Sequence, residues 1–340
     1  MKIIFAVNSC ISFKNSKINK LGGIEHSNLQ LANNLIKLGL KVKLACKIKK
    51  KTKHGRLNII PINYLLSKNL SQFCDVLISS NTNKYFYKNN KIIKILWLHN
   101  QLQIEKSIRK NEFISILINK PNCVFVSKYL KNLTTLLYPF KSRVVIPNGC
   151  SELFLSNKRK RIIKPIFIWT IKREKGLSDI LNMWIFFINK KEPNAELHIY
   201  GLNNYFNKKN LKKYSHMGIK FFGIVNKNIL AKKYSYSTAM IHPGYDETFC
   251  ISALEGQASG LPVLTFDRTG LSERVINGIN GYKVNTLEQM ANIAIKLINN
   301  KPLQKKLSNN AIRLAKKFSW QIIALNWYNY LSKLKKNHKK

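Results

Sequence analysis

Glu247 and Glu255 stand eight positions apart in the stretch from His242 to Gly270, HPGYDETFCISALEGQASGLPVLTFDRTG. Glu247 falls just before a short apolar run with helical spacing, and Glu255 falls inside it. Gly260 is placed to cap the end of that helix, Pro262 to stop it, and Val263 to Phe266 to open a strand. A single carboxylate beside a helix N-terminus is ordinarily a cap. Two acids around one helix start, followed by the Thr269-Gly270 turn beyond the next strand, fit a phosphorylated, polyhydroxylated ligand. Backbone N–H groups at a helix start hold a diphosphate, and carboxylates accept hydrogen bonds from sugar and ribose hydroxyls.

Other loops carry residues of the same chemistry. Leu21-Gly22-Gly23-Ile24-Glu25 immediately precedes a long helical pattern, so its glycines let backbone approach a ligand, or they make a simple turn. His26 follows, either facing a ligand or lying on an exposed helix face. His99 closes the run Ile95-Leu96-Trp97-Leu98, at a strand's carboxyl end, where doubly wound sheets bind ligands. The loop Trp169 to Leu177 contains Lys172, Arg173 and Lys175. It is either a solvated charged turn or a phosphate grip, since bidentate Arg and point-charge Lys both suit phosphate. His242, followed by Pro243-Gly244, reads mainly as a turn stabiliser.

These loops need a scaffold of alternating strands and helices. Lys2 to Val7 reads as a buried strand, Ile24 to Leu38 as an amphipathic helix and Lys41 to Ala45 as the next strand. Val76 to Ser79, Ile93 to Leu98, Cys123 to Val126 and Arg143 to Ile146 follow as strands. The pattern restarts with Pro165 to Thr170, Glu196 to Tyr200, Phe221 to Phe222, Ala239 to His242, Val263 to Phe266 and Gly281 to Val284. Such alternation predicts an α/β chain of parallel βαβ units in two doubly wound halves. The expected division is 1–155, 160–318 and a terminal helical segment 319–340, with a charged linker near Ser151 to Lys164.

Composition sets outer limits. With 45% hydrophobic residues in 340, the chain folds around sizeable cores rather than staying disordered. Its 59 basic residues against 15 acidic ones give a formal net charge of +44. That excess is mainly Lys, accompanied by abundant Asn and Ile, as an AT-rich genome would write on any permissive surface. Whatever its origin, it favours an anionic membrane surface. The absence of zinc-finger spacing or RNP-like aromatic motifs argues against specific nucleic-acid binding. Cys10, Cys46, Cys74, Cys123, Cys150 and Cys250 are scattered without a C-x-x-C pair, so buried free thiols in a reducing cytoplasm are expected. The N-terminus reads as a strand rather than a signal peptide. No apolar run spans a bilayer, so membrane contact, where present, is expected to be peripheral.

The segment E-T-F-C-I-S-A-L-E-G-Q-A-S-G-L-P-V (Glu247 to Val263) resembles the E-x7-E signature of retaining GT-B glycosyltransferases of family 4. Cys250 and Gly256 depart from the commonest family letters. Gly22-Gly23-Ile24-Glu25 is similar to the family's G-G-x-E loop, His99 to its strand-end histidine, and Thr269-Gly270-Leu271-Ser272-Glu273 to its G-G-x-x-E loop. Asn100 replaces the Asp that often follows the histidine, Thr170 the usual Arg, and Thr269 the first Gly. The segments at Val124 to Lys128 and Val144 to Gly149 resemble two further family blocks.

The resemblance implies two Rossmann-like domains facing a central cleft, with the C-terminal helix crossing back to the first domain. It implies transfer of a sugar from a nucleotide diphosphate sugar to a hydroxyl with retention (enzyme class EC 2.4), and no bound metal or other cofactor. Glu247, His99 and Lys175 are then expected to be catalytic. Glu255, Arg173, Phe249, Cys250, Ile251, Gly270, Leu271 and Gly23 would bind the donor; Gly22, Glu25 and His26 would bind the acceptor. The acceptor class would be a glycan or a lipid-linked glycan of a bacterial surface polymer such as lipopolysaccharide, made in the cytoplasm at the membrane's inner face. Two alternatives are a sugar-nucleotide epimerase of the same fold and a basic RNA- or membrane-binding protein without transferase activity.

Overall fold

The structure is a computed structural model and describes residues 1–14, 17–66, 70–86, 91–171, 176–202 and 208–339. The chain divides into two compact units, one of Met1–Gly149 with Trp320–Lys340 and one of Cys150–Ser319.

The first unit is built on a sheet of eight strands. In spatial order these are Ser142–Val145, Asn122–Phe125, Ile93–Leu98, Val76–Ser80, Lys2–Val7, Lys41–Cys46, Leu57–Pro61 and Thr52–His54. All pair in parallel except Thr52–His54, which runs antiparallel at the edge. Its central strands are buried on both faces, which explains their apolar runs (IIFAV after Lys2, VLI before Ser79, ILWL after Lys94). The strand Lys2–Val7 pairs with Lys41–Cys46 on one side and Val76–Ser80 on the other. The order therefore reverses at the carboxyl end of Lys2–Val7, a topological switch point.

The helix Gly23–Lys37 covers this sheet through Leu29, Leu31, Ala32 and Leu35. The terminal helix Trp320–Lys339 packs against it and against the sheet. Trp327 meets Trp97 edge-on at 5.1 Å, and the Tyr330 hydroxyl is 2.7 Å from Ser142 Oγ. The aromatic face of the last helix is thus core of the first unit.

The second unit holds six parallel strands in the order Ile219–Phe221, Glu196–Tyr200, Ile166–Thr170, Ala239–Ile241, Val263–Phe266 and Gly281–Val284. Its core includes Phe167, Trp169, Trp184, Leu197 and Leu264. The order reverses between Ile166–Thr170 and Ala239–Ile241, so this unit's switch point lies at the ends of those two strands. The helix Ile251–Ala258 and the strand Val263–Phe266 form where the spacing predicts them. Gly260 takes the left-handed conformation (φ 84°) that ends the helix, and Leu261 N–H returns 2.9 Å to Gly256 O.

The strands Thr52–His54 and Leu57–Pro61 add to those expected from the sequence pattern. Of the six cysteines, all free, Cys10 is exposed while the other five are buried. Among the described residues no helix is long and apolar enough to cross a membrane.

Candidate functional site

The switch point of the second unit opens onto the loop His242–Cys250. His242 follows the strand end, and its Nδ1 accepts the Gly244 N–H at 3.1 Å. A neutral imidazole has one acceptor and one donor nitrogen, so the proton belongs on Nε2. Nε2 faces Cys250 Sγ at 3.3 Å and Glu247 Oε1 at 3.9 Å. Burial, helped by the Arg274 charge, pushes His242 down to about 4, which keeps the ring neutral at physiological pH.

Glu247 is tied by its backbone, and its side chain stays partly exposed. Its N–H donates to Gly244 O at 3.2 Å and its carbonyl accepts Gly270 N–H at 2.9 Å. The loop is thereby stitched to the Thr269-Gly270 turn. The carboxylate side chain retains 37% exposure, enough for a ligand hydroxyl to reach it.

Asp246 (φ 57°) and Cys250 (φ 61°) both occupy the left-handed region, a costly conformation for side-chain-bearing residues that clusters at functional loops. A glycine would adopt the Cys250 conformation without that cost. The Cys250 thiol is pushed up to about 12 by burial and by the nearby Glu247 charge, so it is protonated. A Cβ on Gly256 would sit 2.8 Å from Met240 Cε, the far end of a flexible side chain.

Cys250, the N-cap of the helix Ile251–Ala258, makes no side-chain capping hydrogen bond. The approach to the helix is fixed from below by Arg274, whose Nη2 donates to Cys250 O at 2.8 Å and whose Nη1 donates to Phe249 O. Burial lowers this guanidinium only to about 10, so it stays charged. Glu255 lies deeper, buried on the helix, and accepts a hydrogen bond from Lys227 Nζ at 2.6 Å.

Phe249, Cys250, Gly270 and Leu271 are all buried in this loop pair, and Ile251 is partly so. Glu273 belongs to the short turn Ser272–Arg274, not to the start of a longer helix. Lys175 and Arg173 lie outside the described residues. The helix that follows them, Leu177–Met183, is joined to the loop because Tyr245 OH donates to Asp179 Oδ2 at 2.8 Å.

In the first unit, Gly22 precedes the helix Gly23–Lys37 in extended conformation. Glu25 folds back over it: a Cβ on Gly22 would collide with the Glu25 carboxylate, which also accepts the Ser9 hydroxyl. His26 is half-buried. His99 is buried at its strand end, 4.4 Å from the Trp97 ring, and Asn81 Oδ1 accepts its backbone N–H at 2.7 Å. Burial pushes its imidazole down to about 3, so it too is neutral. Ser80 Oγ donates to Asn28 Oδ1 at 3.0 Å and Tyr85 OH to Asn8 Oδ1 at 2.9 Å. A polar layer therefore lines the carboxyl ends of this sheet.

Arg274, Lys227 and the Tyr245–Asp179 pair were not singled out from the sequence. Arg274 follows Ser272-Glu273 and looks like one more surface cation. Only the turn at Ser272–Arg274 directs it inward.

His242 Nε2, Glu247 Oε1 and Cys250 Sγ lie within 4.8 Å of one another, close enough for a metal ion. The Gly244 hydrogen bond argues against that use. A metal on Nε2 would move the ring proton to Nδ1, facing the Gly244 N–H.

Two parallel Rossmann-like sheets of this order, with the last helix returning to the first unit, constitute a GT-B fold. A glycosyltransferase of Rickettsia africae superposes with a TM-score of 0.76 at 16% identity, over 99% of each chain. Anabaena Alr3699/HepE, solved in complex with UDP and glucose, superposes at 0.69 and 16% identity, over 98% of this chain and 99% of its own. Residues 154–314 match the family model "Glycosyl transferases group 1". An uncharacterized glycosyltransferase of Methanocaldococcus jannaschii, MJ1178, is 31% identical over 235 residues, 67% of this chain. The match spans 64% of that relative's length. The chain belongs to the group 1 glycosyltransferases, family 4.

Proposed function

We propose that this protein transfers a sugar from a nucleotide diphosphate sugar to an acceptor hydroxyl with retention of anomeric configuration. The observation that carries the reading is the His242–Cys250 loop. It sets a partly exposed Glu247 beside the start of the helix Ile251–Ala258, at the switch point of a doubly wound sheet. The family supports the same reaction class, and the UDP in Alr3699/HepE makes UDP-sugars the first donors to test.

In this reading Glu247 accepts hydrogen bonds from the donor sugar and orients it, while Glu255 holds the ribose diol. The diphosphate meets the amides near Phe249, Cys250 and Gly270, with Leu271, Ile251 and Gly23 around the donor and Lys175 and Arg173 as its cations. Negative charge grows on the leaving diphosphate as the sugar becomes oxocarbenium-like. Preorganised donors facing it are the largest lever on rate. The acceptor oxygen bonds to the anomeric carbon as the bond to phosphate breaks, and its proton passes to the departing phosphate. Neutral His99 stands on the acceptor side with Gly22, Glu25 and His26. A bacterial surface glycan or its lipid-linked precursor, met in the cytoplasm at the membrane's inner face, is the acceptor class proposed.

Thermal unfolding with a panel of nucleotide diphosphates and nucleotide sugars tests the donor site, because native-state ligands stabilise by mass action. One base should raise the melting temperature selectively. Glu247→Ala should then nearly abolish transfer while leaving unfolding in place. Epimerised donor released without an acceptor, or transfer surviving in Glu247→Ala, would overturn the assignment.

A further inference from the structure

The helix Glu112–Asn119 in the first unit is oriented against the usual rule. Its polar ends are turned inward: Thr82 Oγ1 donates to Glu112 Oε1 at 2.7 Å, and Lys94 Nζ donates to Asn119 Oδ1 at 2.7 Å. Asn119 Nδ2 also donates to Phe86 O at 3.0 Å. Inside, Ile116 is fully buried and the Phe113 ring lies 5.5 Å from that of Tyr138. What remains for solvent is an aliphatic face at helical spacing: Ile114 (56% exposed), Leu117 and Ile118 (59% exposed). A helix anchored through its polar groups does not need such a face for the fold.

A second apolar element is tied to this helix through the Phe113–Tyr138 ring contact. Leu136 and Leu137 are 84% and 67% exposed, yet the loop that carries them is held firmly. Arg143 donates to the carbonyls of Lys131, Thr134 and Thr135. The next residue, Tyr138, is buried and places its hydroxyl 2.7 Å from Ser107 Oγ on the neighbouring helix Ile104–Arg109. A pinned loop presenting two leucines to water is an exposed apolar feature with a use. The exposed charges flanking the helix in sequence are mainly cationic: Lys106, Arg109, Lys110 and Lys120 are exposed, whereas Glu112 is turned inward and Glu105, next to Lys106, is an exposed acid.

We infer that this face, Ile114, Leu117 and Ile118 with the Leu136-Leu137 loop, docks the protein on an anionic lipid bilayer. The aliphatic side chains enter the boundary between headgroups and acyl chains, and the flanking cations meet the lipid phosphates. A bilayer is the occupant that matches this charge, since the flanking charges are mainly cationic and the whole chain carries +44. The inference deepens the proposed lipid-linked acceptor and rests on it only for the purpose of docking. Binding itself is measured separately from transfer.

The test is flotation of the full-length protein with phosphatidylcholine vesicles, with and without phosphatidylglycerol. The parent should bind the anionic vesicles, with affinity falling as salt rises. The double variant Leu136→Ser/Leu137→Ser should partition about tenfold more weakly or worse, and Ile114→Asn/Leu117→Asn should lose a similar factor. Lys106→Gln/Arg109→Gln/Lys110→Gln should lose the preference for anionic lipid. All these positions are exposed, so melting temperature and UDP binding should match the parent. Equal vesicle binding by parent and leucine variants would overturn the inference, because general charge would then suffice. Self-association abolished by the same variants, with no vesicle binding, would also overturn it and assign the face to a second copy. Vesicle binding by a parent that ignores every nucleotide would leave the docking face standing and remove the transferase reading.

Discussion

Replacing Arg274 with Met tests how the loop before the helix Ile251–Ala258 is held in shape. The guanidinium is only 8% exposed, donates to the carbonyls of Phe249 and Cys250, and lies 4.1 Å from the centre of the Phe249 ring. Met is apolar and carries no donor. The two charge-assisted hydrogen bonds are worth roughly 1.5–3 kcal/mol each, and the cation–ring contact about 0.5–2 kcal/mol more. Against this, a buried guanidinium carries a desolvation cost of several kcal/mol that Met escapes. Cys250 O also keeps a longer contact from Leu254 N–H, 3.4 Å. The net expectation is a loss of about 2–4 kcal/mol.

The functional loss should exceed the stability loss. Asp246 and Cys250 hold left-handed conformations (φ 57° and 61°) that persist only while the surroundings over-determine them. Freed from Arg274, the loop should relax and release the orientation of Glu247. Hydrogen exchange at the amides of Ile251–Ala258 reads the local effect within the second unit, and calorimetric titration with UDP reads the binding effect. Arg274→Lys keeps the charge but not the fork geometry, so it should fall between parent and Met. A Met variant within about 0.5 kcal/mol of the parent, with UDP affinity unchanged, would refute this account of the loop.

Acid should destabilise both units through their buried neutral histidines. Folded His242 and His99 protonate near about 4 and about 3, but unfolded histidine does so near ~6.5. Between those values the unfolded chain binds the extra proton, so stability is full above ~6.5 and falls by up to ~1.4 kcal/mol per pH unit per histidine as pH drops towards the folded value. Urea midpoints across that window check it, and His242→Gln should flatten the second unit's slope by one proton; equal slopes would contradict the assignment. Glu196 adds a lower window. Burial alone would raise its pKa, but hydrogen bonds from Lys164, Lys220 and His198 outweigh this and hold it to about 2, so its contribution is lost as pH falls from 4.5 to about 2. Trp327→Ala should cost about 3–5 kcal/mol in the first unit, as a fully buried indole lost against Trp97, and a cost below ~1 kcal/mol would show that the last helix is dispensable. Gly256→Ala should cost no more than about 1 kcal/mol, because the obstructing atom is the mobile tip of Met240; a loss of several kcal/mol in a melt would show that Met240 cannot yield.

The sequence by itself determined the parallel strands and the acid-bearing helix. Runs such as IIFAV, and ILWL after Lys94, are continuously apolar because both faces of a central parallel strand are buried, and that pattern is local. Glu255, Gly260 and Pro262 likewise mark a helix and its end through short-range geometry, so their spacing was enough to place that helix. The edge strand Thr52–His54 and its neighbour Leu57–Pro61 were not legible, because their residues Lys53, His54 and Asn58 fit a strand only beside its partner. Tertiary structure alone decided that Arg274 points inward, since an arginine in a polar turn has no local signal for burial. It alone decided which nitrogen of His242 holds the proton, because that follows from the Gly244 N–H meeting Nδ1. It also turned the apolar face of Glu112–Asn119 outward. Amphipathic spacing says that a helix has two faces, and only the polar partners Thr82, Asn83 and Lys94 choose which of them faces the protein.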